Sequence, residues 1–204
     1  GGQVLVLDFT KFAETVEPVL QRRGCDTGND VLARDLSSVT RKGRCVVVGG
    51  KLLDPYVGRT VTARSVSGVV ALDFVVPLAD AWINGANSWT AQQRTAFLND
   101  QRNLQAIQSA TALKKRSRDA SGYLPSSVAY RCAYVARQIG VKWVYGLSVG
   151  DDERGSYGGA SSSAERSDSS GTDCDGGATD EMATGVAAEG GVVGCDPGAD
   201  PLAS

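Results

Sequence analysis

A change of character at residue 150 limits what this chain can fold into. Residues 1–150 hold 19 Lys and Arg against 11 Asp and Glu, with all three Trp, all four Phe and five of the six Tyr. Residues 151–204 hold 2 basic against 12 acidic residues, and 11 Gly, 8 Ser and 8 Ala stand among those 54 positions. A segment so poor in apolar side chains cannot bury enough surface to offset the entropy of ordering it. The expectation is a basic folded body followed by a disordered acidic tail over 151–204. That tail either screens the body when no partner is bound or is simply a solvated appendage.

The body is long enough for one domain with its own core. No run of apolar residues approaches the ~18 needed to span a membrane, so no membrane partner is expected. Histidine is absent from the whole chain. That excludes a Ser-His-Asp triad, histidine-ligated zinc or haem, and any imidazole base. The five cysteines, Cys25, Cys45, Cys132, Cys174 and Cys195, fit no zinc spacing. The turn-like Arg41-Lys42-Gly43-Arg44 between Cys25 and Cys45 permits a disulfide, and separate buried thiols are the alternative. The chain opens on Gly1-Gly2 and its one methionine is Met182, so it reads as a processed product or a fragment.

Hydrophobic periodicity and turn chemistry give an α+β order. Residues 3–9 alternate like a strand, and 12–21 and 29–37 read as helices, the second capped by Thr27 or Asn29. Strands follow at 44–48 and 60–64 with a turn at 54–58, then a strong strand at 69–76 ending at Pro77. Helices are expected at 78–83 and 90–99, the latter capped by Thr90. A strand at 103–109 leads into a short basic helix at 111–116. A long helix lies within 125–145, with Val128, Cys132, Val135 and Ile139 near helical spacing. The domain limits are an extension over 1–21, a body over 22–150 and the tail over 151–204.

The chemistry concentrates between Leu72 and Lys115. Asp73 sits in an apolar strand followed by Val-Val-Pro-Leu, and some thirty residues later Asn103-Leu104 opens a second strand and a basic helix. Around it stand GCDTGNDVLARDL (24–36), LDPYVGRTV (53–61), LDFVVPLADAW (72–82), the Trp89–Asp100 stretch WTAQQRTAFLND, and YLPSSVAYRCAYVARQIGVKWVYGL (123–147). In their order these motifs resemble the secreted bacterial HNH endonucleases that share a domain with the C-terminal part of the GmrSD restriction enzymes. The resemblance covers residues 22–149. It implies a ββα-metal nuclease core with additional helices, a secreted location, a DNA partner and a divalent cofactor, Mg²⁺ or Mn²⁺. In that chemistry the cation clamps the scissile phosphate, and a histidine takes a proton from the attacking water.

Laid on this chain, the resemblance keeps Asp73 as a metal-ligand position, Asn103 as the residue that orders the loop, and Lys115 as a phosphate contact. It places Phe74 where the general base belongs and Ala112 where the helical metal ligand belongs. A phenyl ring accepts no proton, and one carboxylate leaves a hard cation held mostly by water. Loss of the base alone costs about 10²–10⁴-fold in rate. Asp80 and Tyr123 are unsuited as replacement bases. The expectation is a nuclease fold with impaired or absent hydrolysis and weak or lost cation binding.

Lys114, Lys115, Arg116 and Arg118 form a basic run that either meets phosphate or is a solvated face. Trp82 and Trp89 fit core packing better than base stacking. Two other readings stay open. One is an active secreted nuclease using a base other than histidine. The other is a remnant whose frame is lost just after Leu147-Ser148-Val149.

Overall fold

The computed structural model describes residues 24–157. The expected strand at 3–9, the helix at 12–21, Cys174, Cys195 and the tail from residue 158 lie outside the described residues.

Helix α1 (Thr27–Asp35) is capped by Asp26, whose carboxylate accepts from the Asn29 backbone N–H at 2.8 Å. The cap is thus one residue ahead of the expected Thr27. Asn29 has a different task, its side-chain oxygen accepting from the Val47 backbone N–H at 2.7 Å and tying α1 to the neighbouring strand. A Cys25–Cys45 disulfide, Cα–Cα 5.3 Å, staples the same junction.

The chain leaves α1 directly into β1 (Leu36–Lys42), which pairs antiparallel with β2 (Val46–Asp54), itself paired with β3 (Arg59–Ala63). The helix expected to run to residue 37 stops earlier because Leu36 pairs with Leu52 and buries in the sheet's core. Gly49 is required where β2 meets the end of β3, since a Cβ there would stand 2.8 Å from the Ala63 carbonyl oxygen.

A second antiparallel pair joins β4 (Val70–Phe74) to β5 (Leu104–Gln108), with Asp73 opposite Gln105 and Phe74 opposite Leu104. Between them lie α2 (Leu78–Ile83) and α3 (Ala91–Leu98). Thr90 caps α3 in a reciprocal capping box with Gln93, as its position predicts. After β5 comes α4 (Ser109–Lys115), which lies on the β4–β5 pair, and then α5 (Arg131–Tyr145), closed by Gly146 at φ 62.

Beyond α5, residues 151–157 are helical. This corrects the expectation of disorder from Asp151. The segment lacks an apolar stripe, and what orders it is a buried carboxylate, Glu153, together with the Tyr157 ring.

Among the described residues three apolar clusters carry the fold. One lies under the three-stranded sheet and includes Leu36, Val47, Leu52 and Ala106. A second gathers Tyr56, Val75, Ile107, Tyr130 and Tyr134. A third, with Val76, Trp82, Trp89, Phe97 and Val141, takes both expected core tryptophans. Strand β5 serves two of them, Ala106 facing the first and Ile107 the second, so it is buried on both faces. Helix α5 turns Tyr134, Val135, Gln138, Val141 and Lys142 inward. Val128 falls in the preceding 3₁₀ turn and Ile139 is exposed, so the expected Val128–Ile139 stripe is displaced by part of a turn.

Candidate functional site

Strand pairing places Asp73 near the end of β4, and α4 returns across the pair to bring Lys115 over it. Lys115 is 0% exposed and Asp73 8%. The ammonium stands 3.1 Å from each carboxylate oxygen and donates to the Phe74 carbonyl oxygen at 2.8 Å. Two hydrogen bonds, to Asp73 Oδ1 and to the Phe74 carbonyl, thus hold the ammonium beside the carboxylate. The Tyr56 hydroxyl donates to Asp73 Oδ2 at 2.8 Å.

Tyr56 is held there by Asp54, the fully buried last residue of β2. One Asp54 oxygen accepts from the Tyr56 backbone N–H at 2.9 Å, the other from Gln108 N–H at 3.0 Å and the Thr111 hydroxyl at 2.7 Å. Burial pushes the Asp73 carboxyl up and the Lys115 ammonium down in pKa, outweighing their attraction at both groups. Burial likewise pushes the Tyr56 phenol well above its usual range.

Asn103 closes the far end of the site. Its side-chain oxygen accepts from the Val76 N–H at 2.7 Å, and its backbone carbonyl from the Val75 N–H at 2.9 Å. It fixes the chain that leaves β4. The Phe74 ring turns away from Asp73 and stacks on Phe97, centroids 6.5 Å apart and planes within 5°. Ala112, on the inner side of α4, packs against the tyrosine-rich cluster.

Neither residue offers a donor atom, and the one carboxylate is engaged by an ammonium and a phenol. The residues present therefore do not fit a divalent cation at Asp73. Nor is a replacement base at hand. The Tyr123 phenol is pushed up to about 12 by burial, and Asp80 is committed to Lys142 at 2.8 Å.

The basic run divides. Lys115 faces inward with Thr111, one turn earlier on α4, which corrects its reading as a phosphate contact: a side chain with no exposed surface cannot meet a polyanion. Lys114, Arg116 and Arg118 stay exposed. Arg118 is oriented by the Lys115 carbonyl oxygen at 3.1 Å and lies over the Tyr123 ring, 5.8 Å from its centroid. Arg116 ends α4 at φ 54, a backbone region rarely occupied by residues with a side chain.

A second buried charge cluster escaped the sequence reading. Lys142 on α5 bridges Asp80 on α2 and Glu153 in the 151–157 helix, and oxygens of Asp80, Asp119 and Glu153 lie within 4.8 Å of one another. Here too an ammonium is the cation that the carboxylates hold. The available signal was a lysine at the edge of α5's apolar face. Its partners sit 62 residues before it and 11 after, and nothing local pairs them.

No family model matches the chain, and no solved structure matches it. A protein of the fungus Arthroderma benhamiae, named only as an uncharacterized secreted protein, is 39% identical over 132 residues, which is 64% of this chain and 63% of the relative. The matched region thus spans less than two thirds of that relative's length. These findings overturn the assignment to secreted bacterial HNH endonucleases: the relationship found is fungal and no family model supports the bacterial one. The secreted location stands, in line with that relative. Among the described residues no helix is long and apolar enough to cross a membrane. This chain is similar to a secreted fungal protein.

Proposed function

We propose that this protein is a secreted DNA-binding domain built on a ββα-metal arrangement whose hydrolytic centre has been replaced by an internal ion pair. The observation that carries this reading is the Lys115–Asp73 contact. Strand β4, strand β5 and helix α4 follow the strand-strand-helix order of such a core, with Asp73 on the first strand and Ala112 on the helix. Where a divalent cation would clamp a phosphate, the chain supplies its own ammonium. Where a base would activate water, it supplies a ring stacked on Phe97.

Binding is supported by charge and exposure. Lys114, Arg116 and Arg118 form an exposed basic edge at the end of α4. Exposed cations on a net-positive body attract a phosphate backbone and release its counterions.

Fluorescence anisotropy with a labelled DNA duplex tests the binding. Three neutralised phosphates predict a slope of log affinity against log salt of about −3. An affinity that does not fall between low and moderate salt would refute it.

A further inference from the structure

The second charge cluster has a consequence of its own. In residues 151–157 only two side chains anchor to the body. Glu153, 1% exposed, accepts from Lys142 through one oxygen and from the Tyr157 hydroxyl through the other. Tyr157 rests against the tyrosine-rich cluster. Asp151, Asp152, Arg154 and Gly155 are exposed.

The two anchors are four residues apart and so lie on one helical face. Gly150 precedes the segment and its carbonyl accepts the Arg154 N–H at 2.9 Å. A short helix held by one ion pair and one ring, with exposed residues between them, belongs to the low-stability end of a native structure. The element it closes on is different: Lys142 and Val141 sit on the inward face of a fifteen-residue helix.

We propose that residues 151–157 form a detachable clasp, seated by Glu153 on Lys142 and by Tyr157 on the tyrosine cluster, that opens without unfolding the body. Opening uncovers the Lys142–Asp80 pair and the nearby Asp119 carboxylate, a charged cleft that the closed clasp seals. Lys142 keeps Asp80 as its partner when Glu153 leaves, so the body retains a paired ammonium.

Arg154 supplies the reporter, because trypsin cuts after it only when the local helix is open. In the full chain, Glu153→Gln is expected to speed cleavage after Arg154 by about tenfold or more, with cleavage at Arg41 and Arg116 unchanged and the melting temperature of the body retained. Tyr157→Phe keeps the ring and removes one hydrogen bond, for an expected rise of about two- to fivefold at the same bond. An unchanged rate after Arg154 in both variants would overturn the proposal. So would a rise at all three sites together, or a Glu153→Gln chain that does not fold, since either makes the segment part of the cooperative core.

Discussion

Among the described residues two buried lysines, Lys115 and Lys142, each hold carboxylates, and they do so differently. Lys115 meets one carboxylate and a backbone carbonyl within a single strand-helix unit. Lys142 bridges two carboxylates from two other helices, Asp80 and Glu153. The first is closed and local to the β4–β5 core, its ammonium and carboxylate both buried. The second is a tie between separate elements, one of which has little else to hold it. The same chemistry thus serves once inside a strand-helix unit and once between separate helices.

The largest effect expected from this comparison is at Lys115. Lys115→Met leaves Asp73 buried without its charge partner and should cost about 3–5 kcal/mol in chemical denaturation. Adding Asp73→Asn to the same chain should recover much of that loss. A Lys115→Met cost below about 1 kcal/mol, the usual size for an exposed pair, would break the comparison.

At the second site pH is the probe. Burial first, and then the Glu153 and Asp119 charges against the pull of Lys142, push the Asp80 carboxyl from 3.8 to about 6. A carboxyl raised in the folded state contributes stability that is present below its unfolded value and lost as pH rises toward the folded one. Between about pH 4 and pH 6 that contribution falls by about 2 kcal/mol. Asp80→Asn should therefore show a stability difference from the native chain that changes by that amount across the same window. A constant difference would place Asp80 outside the account.

Smaller effects sharpen the binding edge. Replacing Lys114 and Arg118 together by Ala should lower duplex affinity and reduce the salt slope by about 2. Replacing Arg116 by Gly relieves the positive φ at the end of α4, so stability should rise by about 1 kcal/mol while the salt slope falls by about 1. Thermal melts and anisotropy separate the two.

Much of this architecture can be read from residues alone. The strand at Asp73 stops ahead of Pro77, at Phe74 and two residues short of the expected end, Thr90 opens α3, and the apolar strand at 104–108 precedes a basic helix, because turn formers and caps act locally. The apolar character of Phe74 and Ala112 is equally legible, since it concerns the chemistry of single side chains.

What is not legible depends on partners distant in sequence. Tyr56 sits in a stretch readable only as a turn, and what brings it to Asp73 is distant in sequence: the Asp54 bonds to Gln108 and Thr111, the Ser127 N–H on its carbonyl, and the rings of Tyr130 and Tyr134. The inward turn of Lys115 is hidden because its neighbours Lys114 and Arg116 make a continuous basic run. Glu153 lies in a segment whose composition argues for disorder, and one buried ion pair outweighs that composition for seven residues. The bacterial family resemblance rested on motif order, which neither a family model nor the fungal relationship supports.

Supercoiled-plasmid nicking in the presence of Mg²⁺ or Mn²⁺ distinguishes a sealed ion pair at Asp73 from a working metal site. With Lys115 seated on Asp73 and no imidazole in the chain, the native protein is expected to bind the plasmid and leave it intact at either cation. Nicking by the native chain that a chelator stops would contradict the account, because a working metal site and an active base would then have to exist together.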